Sequence, residues 1–284
     1  MEGLIRTPVE TTESFLETGA KKAERPAWAT LALGLLGGAF IAFASEGSNV
    51  AIHTIASVGL GKALAGALFA TGLMLVVLSG SELFTGNMLL VVPLLSGRVG
   101  LGRMLRNWGL VYVGNFVGSV LIAACIFYSG QLGFSGGLLG GFTVKLAAYK
   151  TGLSFGHAFF LGVLCNWLVC MAVWMAAAAK DVGGKLLAIF FPIWLFIASG
   201  FEHSVANMYY IPAGLFAKTV PAFVEQAKAL GATDAALANL TWLHFGVSNL
   251  IPVTLGNIVG GGLFVGAAFW LTHLLGARKS ERSA

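Results

Sequence analysis

Ser79 to Met88 reads SGSELFTGNM, and Ser199 to Met208 reads SGFEHSVANM. Five of the ten positions agree: Ser, Gly, Glu, Asn and Met. Both stretches lie in apolar surroundings. Glu82 is the only charged residue among the 35 that separate Lys62 from Arg98, and the second copy adds a histidine, His203. A carboxylate placed twice at matching points of two apolar runs needs one physical reason that covers both.

Composition sets the solvent. Of 284 residues, 57% are hydrophobic and 10% charged, and the mean hydropathy is +0.84. A soluble domain carries about 25% charged residues, so the chain reads as an all-α membrane protein. The net charge of +5 sits mostly outside the apolar runs, which marks membrane topology rather than nucleic-acid binding. Cys125, Cys165 and Cys170 lie in apolar runs without CxxC spacing. They read as small buried hydrophobes, with no metal and no cofactor implied. The N-terminal segment lacks the apolar core of a signal peptide, so no cleavage is expected.

The runs outward from the two motifs give six spans, each measured against the roughly 20 apolar residues a bilayer requires. Residues 26–45 form the first. Residues 63–97 are too long for one helix and too short for two, which predicts a helix broken near Glu82. Residues 107–128 and 151–179 hold the third and fourth spans. Residues 186–218 are again overlong and interrupted at Glu202-His203, and residues 247–275 hold the sixth. Six spans put both termini on one side. With the termini inside, inner segments hold 12 Lys and Arg and outer ones 5 (Lys62, Lys145, Lys150, Lys218, Lys228), so both termini are expected in the cytoplasm. Three parts follow. Residues 1–26 form an amphipathic cytoplasmic helix, capped by Thr7-Pro8-Val9-Glu10 and facing inward through Val9, Leu16, Ala20 and Ala23. Residues 27–277 form the six-span domain, and residues 278–284 a short basic tail.

The repetition extends further. GNFVG at Gly114 to Gly118 matches GNIVG at Gly256 to Gly260, so spans 1–3 resemble spans 4–6. An odd number of spans per unit makes the 3+3 repeat an inverted one. Paired broken helices in inverted repeats are a transport architecture, with both breaks near the midplane as re-entrant loops. The glycine pairs also suit close helix packing.

Breaking a helix in the membrane frees backbone groups that cannot be left bare. Glu82 and Glu202 are therefore expected to pin the loops by accepting freed N–H groups. His203, an intramembrane titratable group inside a break, reads as functional, with Thr85 in the first loop as a hydroxyl partner that fixes its tautomer. His53, His157, His244 and His273 read as packing residues. Lys150 reads as an anion-attracting charge at an outer mouth.

Together, SGSELFTGNM, KTGLSFGHAFFLGVLCNWLVCMAVWM, SGFEHSVANMYYIP and NLIPVTLGNIVGGG resemble the formate–nitrite transporter family, nearest to its formate channels. The resemblance covers nearly the whole chain. It implies a homopentamer in the cell inner (plasma) membrane, each protomer an aquaporin-like six-span unit with its own pore and with spans 2 and 5 broken by loops. It places the pore histidine on His203, its glutamate on Glu202, the loop threonine on Thr85, and the pore lysine and asparagine on Lys150 and Asn166. It places apolar constrictions on Phe69, Leu73, Leu83, Phe84, Val169 and Phe196. The expected activity is a channel for formate and related weak-acid anions (nitrite, hydrosulfide, acetate and lactate staying open), crossing as the neutral acid. The competing expectation is a proton-coupled transporter of such an anion. No nucleophile–base pair, metal cluster or phosphate-binding loop points to an enzyme.

Overall fold

The computed structural model describes residues 3 and 5–275. The basic tail at 278–284, and with it Arg278, Lys279 and Arg282, lies outside the described residues. Among the described residues the chain is helical, apart from one isolated bridge between Ile5 and Ala179. In chain order the helices are α1 (Pro8–Glu24), α2 (Ala27–Ile52), α3 (Val58–Ser79), α4 (Val91–Leu95, reached through a tight turn of helix at Gly86–Leu90), α5 (Leu101–Tyr128), α6 (Leu138–Thr151), α7 (Phe155–Ala178), α8 (Val182–Ala198), α9 (Ser204–Ala217), α10 (Pro221–Ala229), α11 (Asp234–Asn239) and α12 (Trp242–Leu275). Five of them, α2, α3, α5, α7 and α12, are long and apolar enough to cross a bilayer. At 17 residues α8 is shorter.

Both motifs end a helix in the same way. Gly80 and Gly200 take φ of +71° and +74°, a left-handed cap that costs a residue with a Cβ and not glycine. One residue on, Ser81 N–H donates to Val76 O at 3.0 Å and Phe201 N–H to Phe196 O at 3.1 Å. The next helical element then starts only at Gly86 in the first case and at Ser204 in the second.

The GNxVG glycines are contact points. A Cβ on Gly118 would lie 2.0 Å from Leu35 O of α2, and one on Gly260 would lie 2.2 Å from Val163 O of α7. Only a hydrogen fits where backbones approach this closely, so α5 packs on α2 and α12 on α7 without intervening side chains.

Several expectations need correction. Helix α2 runs past Ser45 to Ile52 and buries Glu46, Ser48 and Asn49, because a polar residue facing protein rather than lipid can continue a helix. In α1 the capping box forms: Glu10 N–H donates to Thr7 Oγ1 at 3.2 Å and Thr7 N–H to Glu10 Oε2 at 2.7 Å. Its buried face, however, is Thr11, Thr12, Gly19 and Ala23, and Val9 is exposed. Small side chains let α1 lie flat, with Gly19 against Pro93 and Phe15 stacked on Trp174 at 5.5 Å. Cys165 and Cys170 are buried, but Cys125 is exposed on α5. His157 is exposed at the start of α7, where it follows the Ser154 cap rather than packing.

Candidate functional site

The two breaks meet at His203. Thr85 of the first break lies 2.9 Å from His203 Nε2. The ring caps α9: Ala206 N–H donates to His203 Nδ1 at 3.0 Å. A nitrogen that accepts from an amide carries no proton, so the neutral ring is protonated at Nε2 and donates to Thr85 Oγ1. A second proton would have to sit on Nδ1, against an N–H donor. The ring is 3% exposed and lies beside Phe196, with ring centroids 5.9 Å apart.

Asn166 and Cys170 of α7 converge on the same loop. Asn166 Nδ2 donates to Thr85 O at 3.1 Å and to Asn257 O at 2.7 Å, and Cys170 Sγ donates to Thr85 O at 3.3 Å. Because Nδ2 faces two carbonyls, Oδ1 is fixed on the other side, and it has no hydrogen-bond partner among the described residues. Ser204 Oγ and Asn207 Oδ1 are likewise buried without partners there.

The carboxylates do not take the freed amides. Glu202 accepts from Lys150 Nζ at 2.7 Å, Asn207 Nδ2 at 2.7 Å and Asn249 Nδ2 at 3.3 Å. Glu82 accepts from Lys22 Nζ at 3.1 Å, Asn87 Nδ2 at 2.6 Å and Arg25. The freed backbone is held by Asn115 and Asn257. Asn115 Oδ1 accepts from Phe84 N–H while its Nδ2 donates to Glu82 O and Gly34 O. Asn257 Oδ1 accepts from Ser204 N–H while its Nδ2 donates to Glu202 O and Gly162 O. A broken helix exposes donors and acceptors together, and an amide side chain answers both where a carboxylate only accepts.

Lys150 is therefore not a free charge at an open mouth. It lies at the end of α6, 8% exposed, paired with Glu202, and its Nζ stands 5.3 Å over the Tyr210 ring. Lys22 of α1 plays the matching part at Glu82. Asn107 joins that cluster by accepting from Asn87 and donating to Lys22 O, as Asn249 does with Asn207 and Lys150 O. The repeated Asn of the two motifs and of the GNxVG pairs was the available signal, and Asn107 and Asn249 share it, each eight residues before the Asn of its GNxVG motif.

The six apolar residues named above are all buried. Phe69 meets Phe196 edge-on at 5.6 Å, and Phe84 meets Tyr112 edge-on at 4.8 Å. A cavity of about 480 Å³ opens beneath α1. Arg6, Lys21, Lys22, Arg25 and Lys185 contribute to its wall, with Glu82 as the carboxylate. The wall includes Leu83 but neither Thr85 nor His203. Among the described residues no three His, Cys, Asp or Glu side chains are grouped to hold a metal.

The family model for formate/nitrite transporters matches residues 9–271. The chain belongs to the formate/nitrite transporter family. A formate channel, FocA, of Haemophilus influenzae is 42% identical over 94% of each chain. A probable formate transporter of Methanothermobacter thermautotrophicus is 38% identical over 96% of this chain and 99% of its own. Among solved structures, a pentameric formate channel with formate bound superposes with a TM-score of 0.79 at 38% identity, covering 89% of this chain and 99% of that one. An ion channel of the same family gives a TM-score of 0.78 at 29% identity. These relatives are named as channels or transporters, not as enzymes, and with its apolar helices this chain is a multi-pass membrane protein of that family.

Proposed function

We propose that this chain is a channel for formate and similar small monovalent anions of weak acids, assembled as a homopentamer in the inner (plasma) membrane with both termini cytoplasmic. Its 27–277 domain is an aquaporin-like inverted repeat of six spans, with α3 and α8 ending at re-entrant loops and α9 completing the fifth span. The repeated bond sets around Glu82 and Glu202 support the symmetry. The permeant reaches Glu82 through the basic cavity and Glu202 past Lys150. Leu73, Leu83, Phe84 and Val169 form one constriction, and Phe69 and Phe196 the other.

Magnitudes decide the species that crosses. Stripping a carboxylate of water costs on the order of 20 kcal/mol in the idealised limit and several after relaxation. Protonating an acid with a pKa ~3 units below the ambient pH costs ~4 kcal/mol. The neutral acid is favoured. The observation that carries this reading is the hydrogen-bonding polarity around the break: His203 Nε2–H is taken by Thr85 Oγ1, which leaves the Thr85 hydroxyl hydrogen as the donor, and the unpartnered Asn166 Oδ1 offers an acceptor. A carboxylic acid matches both, its carbonyl on a donor and its hydroxyl on Asn166, whereas a carboxylate has nothing to donate. His203 serves as the hydrogen-bond donor that turns the Thr85 hydroxyl hydrogen toward the permeant, and water supplies the permeant's proton.

The test is formate flux in proteoliposomes from acidic to mildly alkaline pH. His203→Asn keeps an N–H donor but moves it, and is expected to lower flux and alter the pH profile. Asn166→Asp, which replaces the neutral acceptor with an anion, is expected to lower flux at least tenfold. Unchanged flux and pH profile in both variants would refute the reading.

A further inference from the structure

A third carboxylate is buried in the membrane part, outside both motifs. Glu46 of α2 is 4% exposed. Glu82 is met by Lys22 and Arg25, and Glu202 by Lys150; among the described residues Glu46 has no such cation. Its Oε2 accepts from the Tyr209 hydroxyl of α9. Its Oε1 has no partner among the described residues, and neither has Nδ2 of Asn49, one turn further along the same face of α2.

Its depth follows from its neighbours. Ser48 Oγ donates to Ala65 O of α3 at 3.1 Å, and a Cβ on Gly72 would lie 2.7 Å from Ala44. Glu46 is therefore level with the stretch of α3 that carries Phe69. The surrounding titratable groups are otherwise engaged or turned away. His53 of α2 is bonded to Val50 O and Ser135 Oγ. On α3, Lys62 is exposed, and on α5, Cys125 is exposed. Lys150 of α6 holds Glu202 and faces Tyr210, the neighbour of Tyr209 on α9.

A carboxylate out of water needs a cation or several donors, and Glu46 has one donor. The neutral acid needs less: one oxygen accepts from Tyr209, and the other, as a hydroxyl, donates. A single water would accept from both that hydroxyl and the Asn49 amide, using the two groups the protein leaves unpaired. We propose that Glu46 is a proton-binding site, neutral at ordinary pH, held between Tyr209 and a water on Asn49. Deprotonation transfers the carboxyl proton to that water and on to the outer solution. The carboxylate left behind then faces Lys150 across Tyr210 and weakens the attraction Lys150 offers an entering anion. This last step rests on the function proposed above; the protonation state does not.

The full chain, reconstituted in lipid vesicles, tests both parts. Infrared spectra should show a protonated-carboxyl C=O band at neutral pH that fades at alkaline pH and is absent from Glu46→Gln. Tyr209→Phe, which keeps the carboxyl, should shift that band, and decides the matter should Glu46→Gln not fold. Formate uptake by the unmodified chain should fall severalfold more at alkaline outer pH, with inner pH fixed, than uptake by Glu46→Gln. No Glu46-dependent band at neutral pH would overturn the site. A band with superimposable uptake profiles would overturn its link to Lys150. Vesicles that take up no formate at all would refute the proposed channel function while the band still decides the protonation of Glu46.

Discussion

Lys150 and Glu202 meet at 2.7 Å with side chains 9% and 3% exposed. Breaking a buried pair by removing one partner costs about 3–5 kcal/mol, because the other charge is left without compensation. Lys150→Met should therefore lower the thermal unfolding temperature sharply, and Lys150→Met with Glu202→Gln should recover most of the loss without recovering formate uptake. Buried pairs are screened little by salt, so uptake by the unmodified chain should depend only weakly on ionic strength at this site.

Asn115 holds three backbone groups of the first break. Asn115→Ala strands the Phe84 N–H and the Glu82 and Gly34 carbonyls, at about 1–3 kcal/mol for each group left unsatisfied. Asn257→Ala should cost a similar amount through Ser204, Glu202 and Gly162. Unfolding in detergent measures both. A loss confined to one of the two would show that the breaks are not equivalent in stability.

Two glycines of α5 should respond with opposite sign. Gly118→Ala drives a methyl into Leu35 O and should destabilise by about 1–3 kcal/mol. At Gly109 the added Cβ meets nothing within 4 Å, so Gly109→Ala should stabilise by about 0.5–1 kcal/mol through helix propensity. The same unfolding assay reads both signs.

The Thr7 cap gives α1 a pH dependence. Hydrogen bonds from the Thr7 backbone and side chain hold the Glu10 carboxyl below its ordinary value. A group with a depressed folded pKa stabilises above its unfolded pKa, and that contribution is lost as pH falls through the lowered one. Amide exchange in the first turn of α1 should accelerate on acidification, and Glu10→Gln should show the faster exchange already at neutral pH.

How much of this was legible in the sequence depends on range. The helix-ending glycines and the Thr85–His203 contact sit inside two short motifs whose residue types carry the geometry. Partners chosen across helices leave no local trace: nothing near Lys22 points to Glu82. Glu46 is hidden for a related reason, since ASEGSN reads as the polar end of a span and only the fold buries it against α9. A lysine beside an apolar run looks interfacial, and only α6, which carries Lys150 inward, shows it buried.

The charge of Glu82 is answered by Lys22 and Arg25, which sit upstream of the first membrane-crossing helix. A shortened protein starting at Ala27 would leave that anion with the Asn87 amide and no cation. The leading segment is thus tied into the electroneutrality of the membrane part, and its removal calls for a neutral residue at position 82.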